Sequence, residues 1–271
     1  VRAQSLGDFA ALNVRLTAGG VFGARSFQIK QGDLTIGNEL KASEINVSLD
    51  NGLLTVAGTI DASGERVGTI RLAAKRGLTL TGTAVLDAHG TVLRVDSYGK
   101  IIDSPNRAIV ELSSGDGRLT LAQGARIDLR HGTNTPIGTS AGQNDGRARG
   151  TLDLNAPRIG STGKTTDADA ATYGDIDIDV SGMPNIQGAR TINVNAMQSY
   201  DDAPTAPAPA ASGRPYQVID QAWLDSKHTA STTFINAALA RGSLTAGKLA
   251  GLNNATYRDA FHLRPGIEVV S

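Results

Sequence analysis

The chain has 271 residues, which suits one large domain or two ordinary ones. Its formal net charge is zero, and this argues against nucleic acid as a partner, because that affinity depends on clustered Lys and Arg. The absence of cysteine excludes disulfides, thiolate metal sites and a cysteine nucleophile.

Glycine is frequent, at 32 residues, whereas aromatic residues make up only 4% of the chain. A compact enzyme normally uses more aromatic bulk to fill its core, but a stack of thin coils can be filled by Val, Ile, Leu and Ala. No apolar run approaches the roughly 18 residues of a membrane span, so we expect no membrane insertion. Because the chain starts within a repeat-like pattern and without a signal peptide, we expect it to be a fragment of a longer protein.

The first predicted elements are strands at Leu12–Ala18 and Ser26–Lys30, with glycines between them. Similar segments then recur, each opening with Gly and followed by a Leu-Thr-Leu type of strand, a break and a second apolar pair. The copies are Gly32–Ser43, Gly52–Gly64, Gly77–Gly90 and Gly117–Gly132. Their starts lie 20, 25 and 40 residues apart, and self-similarity at about this period predicts a solenoid.

Strict alternation is clearest in Glu44–Leu49, where Ile45, Val47 and Leu49 share one face. Further short strands are predicted between turns rich in Gly, Asn, Asp and Ser: Leu53–Val56, Thr59–Ala62, Thr69–Ala73, Leu78–Thr81, Ala84–Ala88, Ala108–Ser113, Leu119–Leu121 and Ala125–Leu129. The segment Thr91–Asp103 contains two more apolar runs, which we interpret as one added coil. Strands this short predict an all-β fold, a parallel β-helix with three short strands per coil.

Two polar, Gly-rich loops interrupt the pattern, at residues 132–150 and 161–173. Strands return at Thr151–Asn155, Asp175–Val180 and Thr191–Ala196, and the shaft is predicted to occupy residues 1–200. With coils about 4.8 Å apart, about nine turns would extend on the order of 40 Å.

The composition changes after the shaft. Residues 201–214 are rich in Pro and Ala and predict a semi-extended linker. Residues 215–261 predict a small helical insertion, with Ser231 as an N-cap for the second half of the Ala-rich segment Asp220–Arg241 and Gly242 as its stop. Residues 262–271 return to a strand pattern.

The repeats GDLTIGNELKAS, GLLTVAGTIDASG and GLTLTGTAVLDAHG resemble the shaft repeats of filamentous-haemagglutinin-type exoproteins, the large substrates of bacterial two-partner secretion. Gly150–Gly160 and Phe261–Ser271 are similar to passenger regions of that family. The resemblance implies a right-handed parallel β-helix, export through an outer-membrane two-partner-secretion transporter, and a secreted or cell-surface location. It also implies roles in adhesion, biofilm formation or contact-dependent competition, with a host or neighbouring-cell receptor or glycan as partner.

Three aspartates of the repeats could form an acidic column. Asp61, Asp87 and Asp128 occupy similar places in three copies, and carboxylates on neighbouring coils could serve a polysaccharide lyase or hydrolase. The alternative, which we favour, is that each carboxylate satisfies backbone amides at a corner.

Asp175, Asp177 and Asp179 could bind Ca²⁺, but a solvated outer face is the simpler interpretation because it places Ile176, Ile178 and Val180 inside. His89 and His131 occupy similar corners of two copies. No catalytic or metal-binding motif surrounds the other residues that could carry chemistry or the two histidines themselves: His89, His131, Ser140, Trp223, His228 and His262. We therefore assign no catalytic, cofactor-binding or metal-ligating residue, and no cofactor.

Three functions stay open at this point. The first is a structural or adhesive segment that supplies reach and stiffness, without enzyme activity. The second is a β-helix glycan lyase or hydrolase. The third is a carbohydrate- or receptor-binding module built on the loops and the helical insertion.

Overall fold

The computed structural model describes residues 1–132, 146–159, 174–201 and 218–270. The predicted loop 161–173, most of the loop 132–150 and residues 202–214 of the predicted linker therefore lie outside the described residues. Residue 201, where the linker was expected to begin, instead belongs to a strand.

The strands form three parallel sheets, which we call A, B and C. Sheet A consists of β1 (Arg2–Ala3), β2 (Ala24–Ile29), β5 (Glu44–Leu49), β8 (Thr69–Ala74), β11 (Ile109–Ser114), β14 (Gly150–Pro157), β17 (Ala189–Asp201) and β18 (Phe261–Val270). Sheet B consists of β3 (Leu34–Ile36), β6 (Leu54–Val56), β9 (Leu78–Leu80), β12 (Leu119–Leu121) and β15 (Ile178–Asp179). Sheet C consists of β4 (Leu40–Lys41), β7 (Thr59–Asp61), β10 (Val85–Asp87), β13 (Arg126–Asp128) and β16 (Asn185–Gln187).

The chain visits the sheets in the repeating order A, B, C, and each strand pairs with the strand one coil away. The fold is thus a parallel β-helix with three strands per coil, as predicted. Five complete coils run from β2 to β16 in the described chain, fewer than the nine turns expected, because several predicted short strands belong to the same coil.

Alternation along the short strands decides which side chains point inside. Val47 and Leu49, with 2% exposure each, and Ile45, fully buried, confirm the inward face predicted for β5. In-register pairing then stacks like on like, so Leu54 lies between Leu34 and Leu78. Burying each such side chain stabilises the fold by roughly 1.5–3 kcal/mol, and this contribution recurs in every coil along the axis.

Helices cover parts of the two ends. Helix α1 (Phe9–Ala18) packs near β4, and the Phe9 ring meets Phe27 edge to face with centroids 4.9 Å apart. The buried Arg25 guanidinium donates to Asn13 Oδ1 at 3.0 Å and to Thr17 Oγ1 at 2.9 Å, which ties the helix to β2. The strand predicted at Leu12–Ala18 was therefore wrong: Asp8 caps a helix there by accepting from the Ala11 amide.

At the other end, helix α2 (Gln221–Ala240) is followed by a short π-helical segment, Ser243–Lys248. The helical character of this insertion is confirmed, but α2 is continuous, and Ser231 is a buried residue within it rather than an N-cap. Asp220 caps α2 by accepting from the Trp223 amide at 2.8 Å.

The insertion satisfies backbone groups that the last coil of sheets B and C leaves open. The Val180 amide donates to the Lys248 carbonyl at 2.7 Å, and the Gly251 amide donates to the Val180 carbonyl at 2.8 Å. Tyr257 Oη accepts from the Ile186 amide at 2.9 Å and donates to the Pro184 carbonyl at 2.7 Å. Sheet A alone continues past the insertion, into β18.

The prediction of an extra coil at Thr91–Asp103 was also wrong. These residues leave the shaft as an excursion whose sides meet at an antiparallel bridge between Val95 and Ile101, followed by a 3₁₀ turn at Ser104–Asn106. Asp96 and Gly99 make the tip a turn, with the Asp96 amide donating to the Lys100 carbonyl at 2.8 Å.

Candidate functional site

The three aspartates of the predicted acidic column lie side by side at the ends of their sheet C strands. Asp87 pairs in register with Asp61 on one side and Asp128 on the other, and Lys41 precedes Asp61 in the same column. The sequence therefore predicted the juxtaposition correctly, and the question is what each carboxylate contacts.

Each carboxylate accepts from the backbone amide two residues further on. Asp61 Oδ1 accepts from the Ser63 amide at 3.0 Å, Asp87 Oδ1 from the His89 amide at 3.2 Å, and Asp128 Oδ1 from the Arg130 amide at 3.2 Å. Repetition of one turn on three coils is the corner role favoured from the sequence.

Side chains add further contacts to the same three carboxylates. Lys41 Nζ lies 2.8 Å from Asp61 Oδ2, and His89 Nδ1 lies 2.6 Å from Asp87 Oδ1. Arg130 Nε donates to Asp128 Oδ1 at 2.8 Å, and its other nitrogen reaches Asp128 Oδ2. The column is a ladder of local ion pairs and hydrogen bonds.

Ionisation follows these contacts. Burial opposes the charge on Asp128, but the Arg130 guanidinium and amide outweigh it and lower the pKa of the carboxyl below its ordinary value. Burial likewise opposes the charge on Asp61, and hydrogen bonds from Lys41 and Ser63 lower its pKa overall. Carboxyl groups held in the ionised form lack the proton that a general acid must supply.

Among the described residues, one set of side chains has spacing that could hold a metal ion: one ligand atom each from Asp87, His89 and Asp128 lies within 4.8 Å of the others. Arg130 already occupies both oxygens of Asp128, and His89 Nδ1 is engaged by Asp87. A cation would have to displace the guanidinium, so the set functions as a corner network.

The alternating aspartates near β15 have separate partners, two in ion pairs and one in a hydrogen bond. Ile176, Ile178 and Val180 are fully buried, as predicted. Asp175 pairs with Lys248 at 3.1 Å, Asp177 with Arg118 at 2.9 Å, and Asp179 accepts from the Ser181 hydroxyl at 2.7 Å. The outer placement is confirmed, although the carboxylates are half-buried and paired rather than freely solvated.

The histidines do not converge. Asp87 pairs with Asp128, and continuing that register by two residues places Arg130, not His131, opposite His89. The prediction that His89 and His131 occupy equivalent corners was therefore wrong. His228 and His262 are exposed on α2 and β18.

Two further predicted positions complete this set. Ser140 lies outside the described residues. Trp223 is half-buried and packs edge to face on Tyr200, with centroids 5.8 Å apart, in agreement with an anchoring role.

Sequence reasoning missed two features, the first of which is the outer face of sheet A. Arg71 lies 3.6 Å from Glu44 and 3.5 Å from Glu111, and Glu111 is in register with Asp153 on the next coil. A cavity of about 310 Å³ lies over this face, lined by Arg71 and Glu111 among others. Only the register of β8, β11 and β14 brings these residues together, since they are 40 and 42 positions apart.

The second missed feature is a cationic cavity beside the excursion. Its first part, about 480 Å³, is lined by residues of the excursion tip and by Arg147 and Arg149. An adjoining part, about 440 Å³, is lined by the same two arginines and Arg190. Asp103 belongs to both parts.

The tip of the excursion is held in a defined shape. Asp96 Oδ1 accepts from the amides of Tyr98 and Lys100, at 2.9 Å each, and Gly99 takes a φ of 77°. This turn presents Tyr98 with 93% of its surface exposed. The sequence Asp-Ser-Tyr-Gly-Lys carries that turn chemistry and was the available signal.

The base of the excursion is fixed by Asn106, which is 1% exposed. Its Oδ1 accepts from the Arg94 amide at 2.8 Å, and its Nδ2 donates to the carbonyls of Arg94 and Ile102 at 2.9 and 2.7 Å. One buried amide therefore closes the excursion and sets where its tip stands.

Asp103 orients the arginines on the opposite wall. It lies 2.7 Å from Nε of Arg149, whose side chain is 5% exposed, and 3.8 Å from Arg190. Arg149 Nη1 also lies 3.1 Å from His131 Nε2 and donates to the Arg147 carbonyl at 3.1 Å. The assembled cavity combines an exposed aromatic ring, several cations and a carboxylate.

Within the described residues, no helix has the length and apolar character of a membrane span. No protein-family model, curated protein or solved structure matches the chain.

Proposed function

We propose that the chain is a stiff structural and adhesive segment of a large bacterial exoprotein of the filamentous-haemagglutinin type. In this proposal it is secreted or displayed on the cell surface, where it mediates attachment, biofilm formation or contact between cells. An outer-membrane two-partner-secretion transporter is the proposed partner during export.

The observation that carries the proposal is the run of in-register ladders around one continuous aliphatic core. Each described coil pairs with its neighbours on three sides, so bending the axis would break hydrogen bonds in at least one sheet. A solenoid of this kind becomes long and stiff by repeating one short structural unit. The carboxylates first considered for catalysis are held in corner contacts, which fits a spacer better than a reaction centre.

Attachment can be measured with beads that carry the purified chain, applied under flow to bacterial lawns and epithelial monolayers. We expect wild-type beads to be retained, and Asn46→Asp, an outward substitution on β5, to retain them equally. Val47→Asp should abolish retention, because an unpaired charge in the core unfolds the local coils. Retention of wild-type beads no greater than that of uncoated beads would contradict the adhesive function.

A glycan lyase or hydrolase is the second candidate, and one observation favours it. Glu111 lies between Arg71 on one neighbouring coil and Asp153 on the other, and retaining glycosidases use two carboxylates about 5–5.5 Å apart. Incubation with a panel of neutral and acidic polysaccharides, followed by reducing-end assay, tests this candidate. Turnover that disappears in Glu111→Gln would replace the structural function with an enzymatic one.

A further inference from the structure

The cavity beside the excursion has features that a stiff spacer does not require. Its lining includes four cationic side chains, Lys100, Arg147, Arg149 and Arg190, and two acidic ones, Asp103 and Asp259. Among the residues that the structure describes, the lining thus carries a net charge of +2, in a chain whose total is zero. Local charge of one sign in a concave site raises the concentration of an oppositely charged ligand.

The cationic groups are positioned by other residues. Arg149 is buried and held by Asp103 through a 2.7 Å contact, while Lys100 sits on the turn that Asp96 fixes. Arg149 is thereby fixed in the wall, whereas Lys100 and Arg190 are exposed and can reach a ligand. Guanidinium and ammonium groups bind carboxylates through charge-assisted hydrogen bonds.

Tyr98 supplies a different kind of contact. Tyr98 stands on a hydrogen-bonded turn with 93% of its surface exposed, and its ring offers a flat apolar face beside a polar hydroxyl. The C–H face of a pyranose ring packs on such a surface. The sugar hydroxyls can donate to Asp103, which lines both parts of the cavity, and to Asp259 in the adjoining part. These two acidic groups reduce the attraction of the cavity for a ligand with dense negative charge, such as a polysulfate.

We propose that this cavity binds an acidic oligosaccharide whose sugars carry carboxylates, with Tyr98 against a ring and Lys100 on a carboxylate in the first part, and Arg190 on a carboxylate in the adjoining part. The two parts of the cavity, about 480 and 440 Å³, each fall within the usual size of small-ligand sites. The proposal does not depend on the attachment function, because the site can bind a sugar whether or not the solenoid tethers a cell.

Isothermal titration with an oligogalacturonate trisaccharide tests the proposal, with a neutral galactose trisaccharide and a sulfated disaccharide as the other arms. We expect saturable binding of the uronate that weakens as NaCl is raised, and much weaker binding of the other two. Tyr98→Ala and the double variant Lys100→Gln/Arg190→Gln should each weaken uronate binding about tenfold or more. Preference for the sulfated or the neutral probe, or absence of uronate binding, would overturn the proposal.

Matched controls separate site effects from folding and from general charge. Arg76→Gln removes one exposed cation elsewhere on the shaft, and Phe22→Ala removes a half-exposed ring, so both should bind like wild type. Circular dichroism should be unchanged in the site variants, since all three positions are exposed. Equal losses in the site variants and the controls would refute the assignment, whereas failure of the bead assay alone would leave this binding result intact.

Discussion

At the residue scale, the glycines that open the repeats are required by two different geometries. Gly32 and Gly77 adopt φ values of 107° and 139°, which L side chains rarely take. At Gly52 and Gly117 the constraint is space, because a Cβ would overlap the carbonyl of Gly32 or Arg76 on the preceding coil. The repeat that identifies the solenoid in the sequence therefore reflects how closely successive corners stack.

Gly117→Ala tests this stacking. We expect it to lower the free energy of unfolding by about 1–3 kcal/mol, because backbone on two coils must move apart. Gly64→Ala is the control, since a Cβ there meets no atom closer than 3.7 Å. Urea denaturation followed by circular dichroism measures both, and equal stability of the two variants would contradict the close-approach explanation.

Stability should also depend on pH through Asp128. Its folded-state pKa is lowered by Arg130, so the stabilisation is complete above the unfolded pKa of about 3.9 and is lost as the pH falls through the folded pKa. At pH 7 we expect Asp128→Asn to be less stable than wild type by about 1–3 kcal/mol, and the gap to narrow below about pH 4. Urea denaturation at pH 7, 4 and 2.5 gives the comparison, and a gap independent of pH would refute the assigned ion pair.

At the element scale, the sequence predicted strands well where alternation is strict and less well where neighbouring elements decide. Strand β5 agrees with its prediction residue for residue, because Glu44–Leu49 alternates without interruption. Helix α1 was missed because its ten residues include Val14 and Thr17, and contacts with Phe27 and Arg25 hold it in place. These partners lie on β2 rather than on the helix, so the helix residues alone do not show the contacts.

The same limit applies to the candidate sites. The acidic column could be predicted, because equivalent positions in repeats become neighbours on adjacent coils. The cationic cavity could not, because it joins the excursion tip to Arg147, Arg149 and Arg190, which the repeat pattern does not relate. Apolar runs on both sides of Asp96 and Gly99 resembled two strands of a coil, whereas they close on each other as an antiparallel pair.

Tyr257→Phe tests the helical insertion as a cover for the last coil. The Tyr257 side chain is 7% exposed, and its hydroxyl is the partner of the Ile186 amide and the Pro184 carbonyl. Removing the hydroxyl should cost about 1–3 kcal/mol, because an amide at the end of the core then lacks its acceptor.

Hydrogen exchange of the Ile186 amide gives the local readout, and we expect it to become faster in Tyr257→Phe. Tyr98→Phe, at an exposed ring, is the control and should change neither stability nor exchange at β16. Unchanged exchange at Ile186 in Tyr257→Phe would show that the insertion does not protect this coil.

At the scale of the whole molecule, the five complete coils form one shaft with helical covers over part of each end. The eight strands of sheet A, about 4.8 Å apart, give the ladder a length of about 34 Å. At the C-terminal end the insertion occupies the positions beyond β15 and β16, while β18 extends sheet A alone. A coil added after β18 would therefore meet the insertion on two of its three sides.

The most direct test of parallel, in-register coils is disulfide trapping, which is clean because the chain has no cysteine. Thr79 and Thr120 are register partners on β9 and β12, so their Cα atoms should lie about 4.8 Å apart, within disulfide range. Thr55 lies one coil further from Thr120, at about 9.6 Å, which is too far. We predict that Thr79→Cys/Thr120→Cys forms an intramolecular disulfide under mild oxidation and that Thr55→Cys/Thr120→Cys stays reduced; equal trapping of both pairs, or trapping of the second alone, would contradict the stacked solenoid.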